Sequence, residues 1–487
     1  MGSSVAPDAD GRVLTTGISA LQAREGSSVE LMQGGLTAFA ARVEAARTAT
    51  TSLDLQYYHW RDDLTGRALA REVLRVAERG VRVRVLLDDM YAIGRERLLG
   101  ALDAHPHIEV RLFNATRWRS LGQFGLLLEM LFGGWHLNRR MHNKAWIADG
   151  RLAICGGRNI GDEYFEAADE INFRDLDLVI AGPAAGEAQA IFERYWNHRL
   201  SRPIATVSQA ARRRGGFRAL AARLDAASAA PEARPFFEGL KADPDVRKVL
   251  DGDPSHLAWV EPEDIQVVAD PPDKAIGRAP VRECLAPAIL AALRVAREEA
   301  LLISPYFVPG EHGACMLEAL ARRGVHVSVV TNSLAATDVV AVHGGYTRYR
   351  ERLLLAGVEL HELKPTGVEG ASVFGSRGAS LHTKALVVDG TRTFVGSFNL
   401  DPRSAALNTE MGTFIRHPGI AQELREEHAR LADPARSWRV TREGPGRLVW
   451  TATEAGETVV QRREPDASLR RRALAQMVRY LPVESQL

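Results

Sequence analysis

The chain has little of several things. Its only cysteines, Cys155, Cys284 and Cys315, stand far apart with no CxxC pairing, so neither a disulfide framework nor a zinc site is indicated. No stretch reaches the roughly eighteen uninterrupted apolar residues of a spanning helix. The opening "MGSSVAPDADGRVLTTGISALQAREGSSVE" has neither an apolar run nor a basic start, so no secretory signal is expected. Excess charge is also missing. A formal net charge of +1 argues against binding duplex nucleic acid through a global positive field, although it leaves a local basic groove open. Lysine is scarce too: of 62 Lys plus Arg, six are lysine.

What is present is ordinary in bulk and unusual in pattern. With 487 residues, 46% hydrophobic and 25% charged, the chain suits a soluble globular protein of two or three units. The stretch "HNKAWIADGRLAICGGRN" from His142 to Asn159 returns as "HTKALVVDGTRTFVGSFN" from His382 to Asn399. Both fit H-x-K-x₄-D-x₆-G-[GS]-x-N, a pattern whose chance frequency is below about one in 10⁷ per start site. Two of the six lysines, Lys144 and Lys384, fall at matching places in it. In a chain that otherwise uses arginine, those positions call for a compact ammonium.

The repetition runs beyond the motif. "SLDLQYYHW", "LAREVLRVAERG" and "VRVRVLLDD" precede the first copy; "ALLISPYFVP", "ACMLEALARRG" and "VHVSVVTNS" precede the second. Each series reads strand, amphipathic helix, strand, as in a parallel βαβ unit. The expected division is a first lobe over residues 26–203, a helical or irregular connection over 204–280, a second lobe over 281–433, and a C-terminal hairpin with a basic amphipathic tail over 434–487.

Asp149-Gly150 and Asp389-Gly390, each between apolar runs, predict tight β-hairpins. Residues two apart on a strand share a face, so His142 pairs with Lys144 and His382 with Lys384. Two imidazoles and two ammoniums without a cysteine or acidic ligand cluster suit an anion rather than a metal. At a phosphodiester, one neutral histidine would attack phosphorus and the other, protonated, would release the leaving oxygen. Lys144, Lys384, Asn159, Asn399 and Ser397 would hold the non-bridging oxygens. Asp149 and Asp389 join the candidate catalytic set, with a turn-forming role at least as well supported. Asp175 and Glu410, at corresponding places before strands, are candidates to orient the histidines, against a plain ion-pair reading.

These residues resemble the two HKD motifs of the phospholipase D superfamily. "LDLQYYHWRDDLTG", "NRRMHNKAWIADG", "DPPDKAIG", "ISPYFVPG" and "TNSLAATDVVAVHGGYTRYR" are similar to its bacterial cardiolipin synthase branch, above all the C-type members. The resemblance implies an α/β fold of two duplicated α/β/α phospholipase D-like lobes related by a pseudo-two-fold, with the active site at their interface. It implies no cofactor and no metal, a phosphatidyl-histidine intermediate, His142 as nucleophile and His382 as acid/base. It also implies cardiolipin made from phosphatidylglycerol and a second phospholipid, with phosphatidylethanolamine as the donor of C-type enzymes. The expected location is cytoplasmic, peripheral at the inner face of the bacterial membrane. One departure is Gly157, where the second copy has Ser397.

The alternatives are a phospholipase D that hands the intermediate to water, a superfamily nuclease or phosphodiesterase, and a non-catalytic lipid-binding protein. No nucleic acid partner is expected. Lipid access has two candidate elements: "WRSLGQFGLLLEMLFGGWHLNRRMH", read equally as an interfacial element or a buried helix, and the tail "SLRRRALAQMVRYLPVESQL", read as a helix that docks on the core or on a membrane. Arg140, Tyr58, Tyr306 and Trp135 are the candidate lipid headgroup or acyl contacts.

Overall fold

The computed structural model describes residues 26–116, 118–132, 134–169, 171–212, 216–250, 259–365 and 378–487. Its first lobe is an eight-stranded sheet in the order β1-β8-β6-β5-β2-β3-β4-β9. The strands are β1 (Ser28–Met32), β2 (Ser52–Tyr57), β3 (Arg82–Asp88), β4 (Ile108–Phe113), β5 (Ala145–Ala148), β6 (Leu152–Gly156), β8 (Asp177–Ala181) and β9 (Ser201–Pro203). A separate short strand, β7 (Ile171–Arg174), lies between β6 and β8 in the chain. Helices α1 (Gly35–Thr48), α2 (Leu64–Glu78) and α3 (Glu96–Asp103) link the first four strands. α2 starts where Asp63 caps the Gly66 amide at 3.0 Å, and Gly80, at φ 87°, follows its end. Parallel β2, β3 and β4 alternate apolar with polar residues (SLDLQY, RVRVLLD, IEVRLF), and in β2 the polar Asp54 and Gln56 are buried along with the apolar face.

The second lobe repeats this arrangement in the order β10-β17-β16-β15-β11-β12-β13-β18-β19-β20. Its strands are β10 (Asp264–Ala269), β11 (Glu299–Ile303), β12 (His326–Asn332), β13 (Glu359–Leu363), β15 (Ala385–Val388), β16 (Arg392–Gly396), β17 (Met411–Arg416), β18 (Ser437–Gly444), β19 (Arg447–Glu454) and β20 (Glu457–Gln461). Two differences from the expected division follow. β10 falls in the expected connection yet is the edge strand of this sheet, and the hairpin expected in the tail extends the sheet as β18 to β20. Both hairpins of the motif form, with Asp149 and Asp389 at φ 55° and 48°, followed by Gly150 and Gly390 at 65° and 60°. Both central residues of each turn are thus left-handed, as a two-residue hairpin turn demands.

The remaining helices of seven or more residues are α4 (Gly122–Leu131), α5 (Pro183–Trp196), α6 (Phe217–Ala229), α7 (Arg234–Ala242), α8 (Pro244–Leu250), α9 (Leu285–Arg294), α10 (Gly310–Arg322), α11 (Val340–Tyr346), α12 (Arg350–Ala356), α13 (Pro418–Ala432) and α14 (Leu469–Tyr480). One core, including Phe39, Leu53, Val73 and Trp146, joins the first sheet to α1 and α2. A second holds Ala145, Ile147 and Ile180 from the first sheet with Val387, Val395 and Ile415 from the other, so the two sheets are packed on each other. Among the described residues no helix is long and apolar enough to cross a membrane.

Candidate active site

Strand pairing between the lobes places the two copies of the motif. β14 (Gly378–Leu381), just before His382, runs parallel to β7, just before Asp175. The same joint is made on the other side by a bridge from Met141, before His142, to Thr409, before Glu410. The His142 amide donates to Thr409 O at 2.8 Å, and the His382 amide donates to Arg174 O at 2.8 Å. Each histidine is thereby delivered to the carboxylate of the opposite lobe. His142 Nδ1 meets Glu410 Oε2 at 2.8 Å, and His382 Nδ1 meets Asp175 Oδ2 at 2.5 Å. With Nδ1–H donated to the carboxylate, the lone pair of each ring lies on Nε2.

Both histidines line one cleft of about 480 Å³ with Asn159 and Asn399. Lys144 and Lys384 are each 1% exposed. Lys144 Nζ donates to its own histidine's carbonyl at 2.6 Å. Lys384 donates to the carbonyl of His382 and stands 2.9 Å from that ring's Nδ1. Burial, with Lys384 nearby, pulls the Lys144 ammonium down to about 7, and burial pulls the Lys384 ammonium down to about 8 against the carboxylates of Asp175 and Glu410. Burial also lowers His142, with Glu410 pulling the other way, while burial and then Lys384 lower His382 to about 4. Against burial, the histidine and lysine charges hold Glu410 and Asp175 below the usual carboxylate range. At neutral pH burial and these charges therefore leave the carboxylates ionised and the imidazoles neutral.

The Asn159 amide donates to Tyr164 Oη at 2.9 Å, and Asn159 Oδ1 and Asn399 Oδ1 are buried with no hydrogen-bond partner among the described residues. A half-turn of either amide would present its NH₂ instead. Tyr58 packs edge-on against His142 at 5.1 Å between ring centres, and Tyr164 packs the same way against His382 at 5.3 Å. Tyr306 lines the cleft and donates to Asp338 at 2.7 Å.

Several placements differ from the sequence expectation. Asp149 and Asp389 do not reach the cleft. Asp149 accepts the amides of Thr50, Thr51 and Ser52, and Asp389 those of Arg297, Glu298 and Glu299, so each ties its hairpin turn to the start of the neighbouring strand. Ser397 is fully buried and donates to Glu410 Oε2 at 2.5 Å, an orienting contact in place of the expected phosphate contact. That explains Gly157: a Cβ there would lie 2.1 Å from Asp175 Oδ1. The shorter Asp175 sits where the serine would be, while the longer Glu410 leaves room for one. Arg140, expected at a headgroup, is 1% exposed and faces Asp88 in the interior at 3.5 Å. The side chain of Trp135 lies outside the described residues. Sequence reasoning missed His59, Tyr164, Phe173, Asp401 and Arg403 in the cleft wall. Spacing offered one signal, since Tyr164 and Asp401 closely follow the motif asparagines.

The family model for the phospholipase D-like domain of cardiolipin synthase matches residues 43–196 and 289–432. Cardiolipin synthase C of Escherichia coli (strain K12) is 38% identical over 461 residues, covering 93% of this chain and 94% of that protein. A cardiolipin synthase of Oceanobacillus iheyensis is 24% identical over 424 residues, covering 86% and 71%. Among solved structures, the phosphatidylserine synthase of Haemophilus influenzae Rd KW20 superposes with a TM-score of 0.60 over 94% of this chain and 95% of that one, at 13% identity. That last likeness is one of fold.

Proposed function

The chain belongs to the phospholipase D-like cardiolipin synthase family and is a phospholipid phosphatidyltransferase; on that premise we propose that it makes cardiolipin from phosphatidylglycerol and a second phospholipid through a phosphatidyl-histidine intermediate. The observation that carries the reading is the crossed pairing of His142 with Glu410 and His382 with Asp175. One cleft then contains two oriented imidazoles, each with its carboxylate supplied by the other lobe.

In the proposed reaction Nε2 of one histidine attacks phosphorus, the headgroup oxygen leaves, and the other histidine gives it a proton. The second imidazole then takes the proton from a hydroxyl of phosphatidylglycerol. That oxygen attacks phosphorus and releases the first histidine, so the acid is restored each cycle. Burial favours the neutral form of both rings, and the phosphate monoanion supplies the charge that favours an imidazolium. The two rings titrate as a pair. Lys144, Lys384 and the amides of Asn159 and Asn399 balance the charge that builds on the non-bridging oxygens. Family resemblance assigns the attack to His142. The Lys384 ammonium beside His382 lowers that ring's affinity for a proton, which suits attack by His382 instead, so the identity of the labelled peptide decides between them.

Peripheral membrane contact is part of the proposal, and α4 is its proposed element. Phe124, Leu127, Leu131 and Phe132 are between 54% and 77% exposed, which favours the interfacial reading over a buried helix. The chain leads from α4 to Asn138, whose amide donates to Gln486 in the cleft wall. α14 buries Ala475 and Val478 while Leu474 and Met477 stay exposed, so it docks on the lobe by one face.

Mass spectrometry of products from phosphatidylglycerol alone, and mixed with phosphatidylethanolamine, tests the reaction. Cardiolipin from either mixture is expected. Phosphatidic acid as the sole product in both would replace transfer with hydrolysis.

A further inference from the structure

The two lobes repeat one strand order, yet at one place the first lobe is filled and the second is hollow. The amide triplets held by Asp149 and Asp389 fix the register: Thr50 corresponds to Arg297. Counting back eleven residues from each, Phe39 on α1 corresponds to Ala286 on α9. Counting forward six residues from Asn159 and Asn399, Phe165 corresponds to Ala405. In the first lobe Phe39 and Phe165 meet edge-to-face at 5.6 Å, and Phe236 of α7 closes over Phe39 at 5.3 Å. Helices α6 to α8 then cover α1 and α2, with Leu224, Leu240 and Val249 buried in the same core.

The second lobe has alanine at both positions, and among the described residues no helix covers the groove between α9 and α10. A cavity of about 240 Å³ remains, open to the surface, lined by Ala286, Leu290, Met316, Phe398, Leu400 and Ala405, among others. Asp401 lines both this cavity and the catalytic cleft. Phe398 and Leu400, in the cavity wall, flank Asn399, which lines the cleft. Phosphate-site residues and cavity residues thus alternate along one extended segment.

Resting on the proposed phospholipid chemistry, we propose that this cavity takes an acyl chain of a substrate phospholipid whose phosphate occupies the histidine cleft. A hydrocarbon fits the mostly apolar lining, which also includes Glu311 and His312, and the shared Asp401 sets the cavity beside the cleft that would take the ligand's polar end. The site also makes the lobes functionally unequal: the second seats a chain where the first is closed by phenylalanines.

Photocrosslinking tests this with the full chain and a phosphatidylglycerol carrying a diazirine within its acyl chain, in detergent micelles. Label is expected on peptides from α9 and α10. The double variant Ala286→Phe/Ala405→Phe copies the first lobe's plug. It should lose that label and lower kcat/KM for long-chain phosphatidylglycerol about tenfold or more, as losing about two buried methylenes would. A short-chain, monomeric phosphatidylglycerol should be turned over within about twofold of the unchanged chain. Label confined to α4, or absent from α9 and α10 in the unchanged chain, overturns the proposal, as does an equal fall on both substrates. Label on α9 and α10 in a chain that transfers no phosphatidyl group supports the pocket and overturns the reading it rests on.

Discussion

Gly157→Ala is the smallest change that should disable the site. The new methyl would lie 2.1 Å from Asp175 Oδ1 and 2.7 Å from both Cγ and Oδ2, contacts no carboxylate can keep. Asp175 has little freedom, because Oδ1 also accepts the Leu176 amide at 2.9 Å while Oδ2 holds His382 at 2.5 Å. The carboxylate must move, and the imidazole loses its orienting partner. A misplacement of about 1 Å costs roughly 10²-fold in rate, and overpacking of this kind costs about 1–3 kcal/mol of stability. Urea unfolding beside steady-state transfer kinetics separates the two effects. The expectation is a folded chain with kcat down about 10²-fold and a modest fall in midpoint. Near-normal kcat in the folded variant would refute the claim that Gly157 exists to admit Asp175. Ser397→Gly, which removes a donor to Glu410 and an acceptor of the Met411 amide without crowding either, should leave more activity.

Other expectations follow from the same geometry. Glu410→Gln and Asp175→Asn should each lower kcat by about 10²–10⁴-fold, with each change acting on the histidine of the opposite lobe; a fall of less than twofold in either would remove the orienting role. Asp149→Ala should cost about 1–3 kcal/mol of stability with little change in kcat. The Asp149 carboxyl is held below its ordinary value by backbone amides against the cost of burial, so its contribution is present above the unfolded pKa and lost as pH falls through the folded one. A collapse of kcat with unchanged unfolding would return Asp149 to the catalytic set. In the pH profile of kcat/KM, burial should carry the acid limb well below the ordinary histidine value, toward the value of about 4 for His382. An alkaline limb should follow as Lys144 and Lys384 lose protons near 7 and 8. Activity that rises only above the ordinary histidine value would contradict this. Leu127→Asp/Leu131→Asp should abolish flotation with anionic vesicles while sparing turnover of monomeric lipid; unchanged flotation of the folded variant removes α4 as the contact.

How much was legible beforehand varies with the physics of each feature. The doubled motif, its two hairpins and the βαβ units were readable because spacing and left-handed turns are local properties. The family was readable for the same reason, as it resides in contiguous stretches. Which carboxylate meets which histidine was not readable, because the crossing of Asp175 and Glu410 arises from strand pairing between residues more than 200 positions apart. The role of Ser397 was misjudged because its spacing from Asn399 is the same whether its hydroxyl faces phosphate or Glu410. The direction of Arg140 was not readable either, because the segment before His142 pairs only at Met141 and strand alternation does not extend to it. The apolar run at α4 fits a buried and an exposed helix equally, and only its packing separates the two. β10, DIQVVA, is as apolar as an inner strand, and only its antiparallel pairing with the distant β17 places it in the sheet instead of the connection.

The central claim is that the two motif copies make one active site. Single-turnover quench with a phospholipid labelled in its phosphatidyl group tests it most directly, with the label mapped by peptide sequencing. At most one phosphatidyl group per chain is expected, carried by His142 or His382, and none when either residue is replaced by alanine. Two labels per chain, or about half the label surviving in each single variant, would mean two independent sites and contradict it.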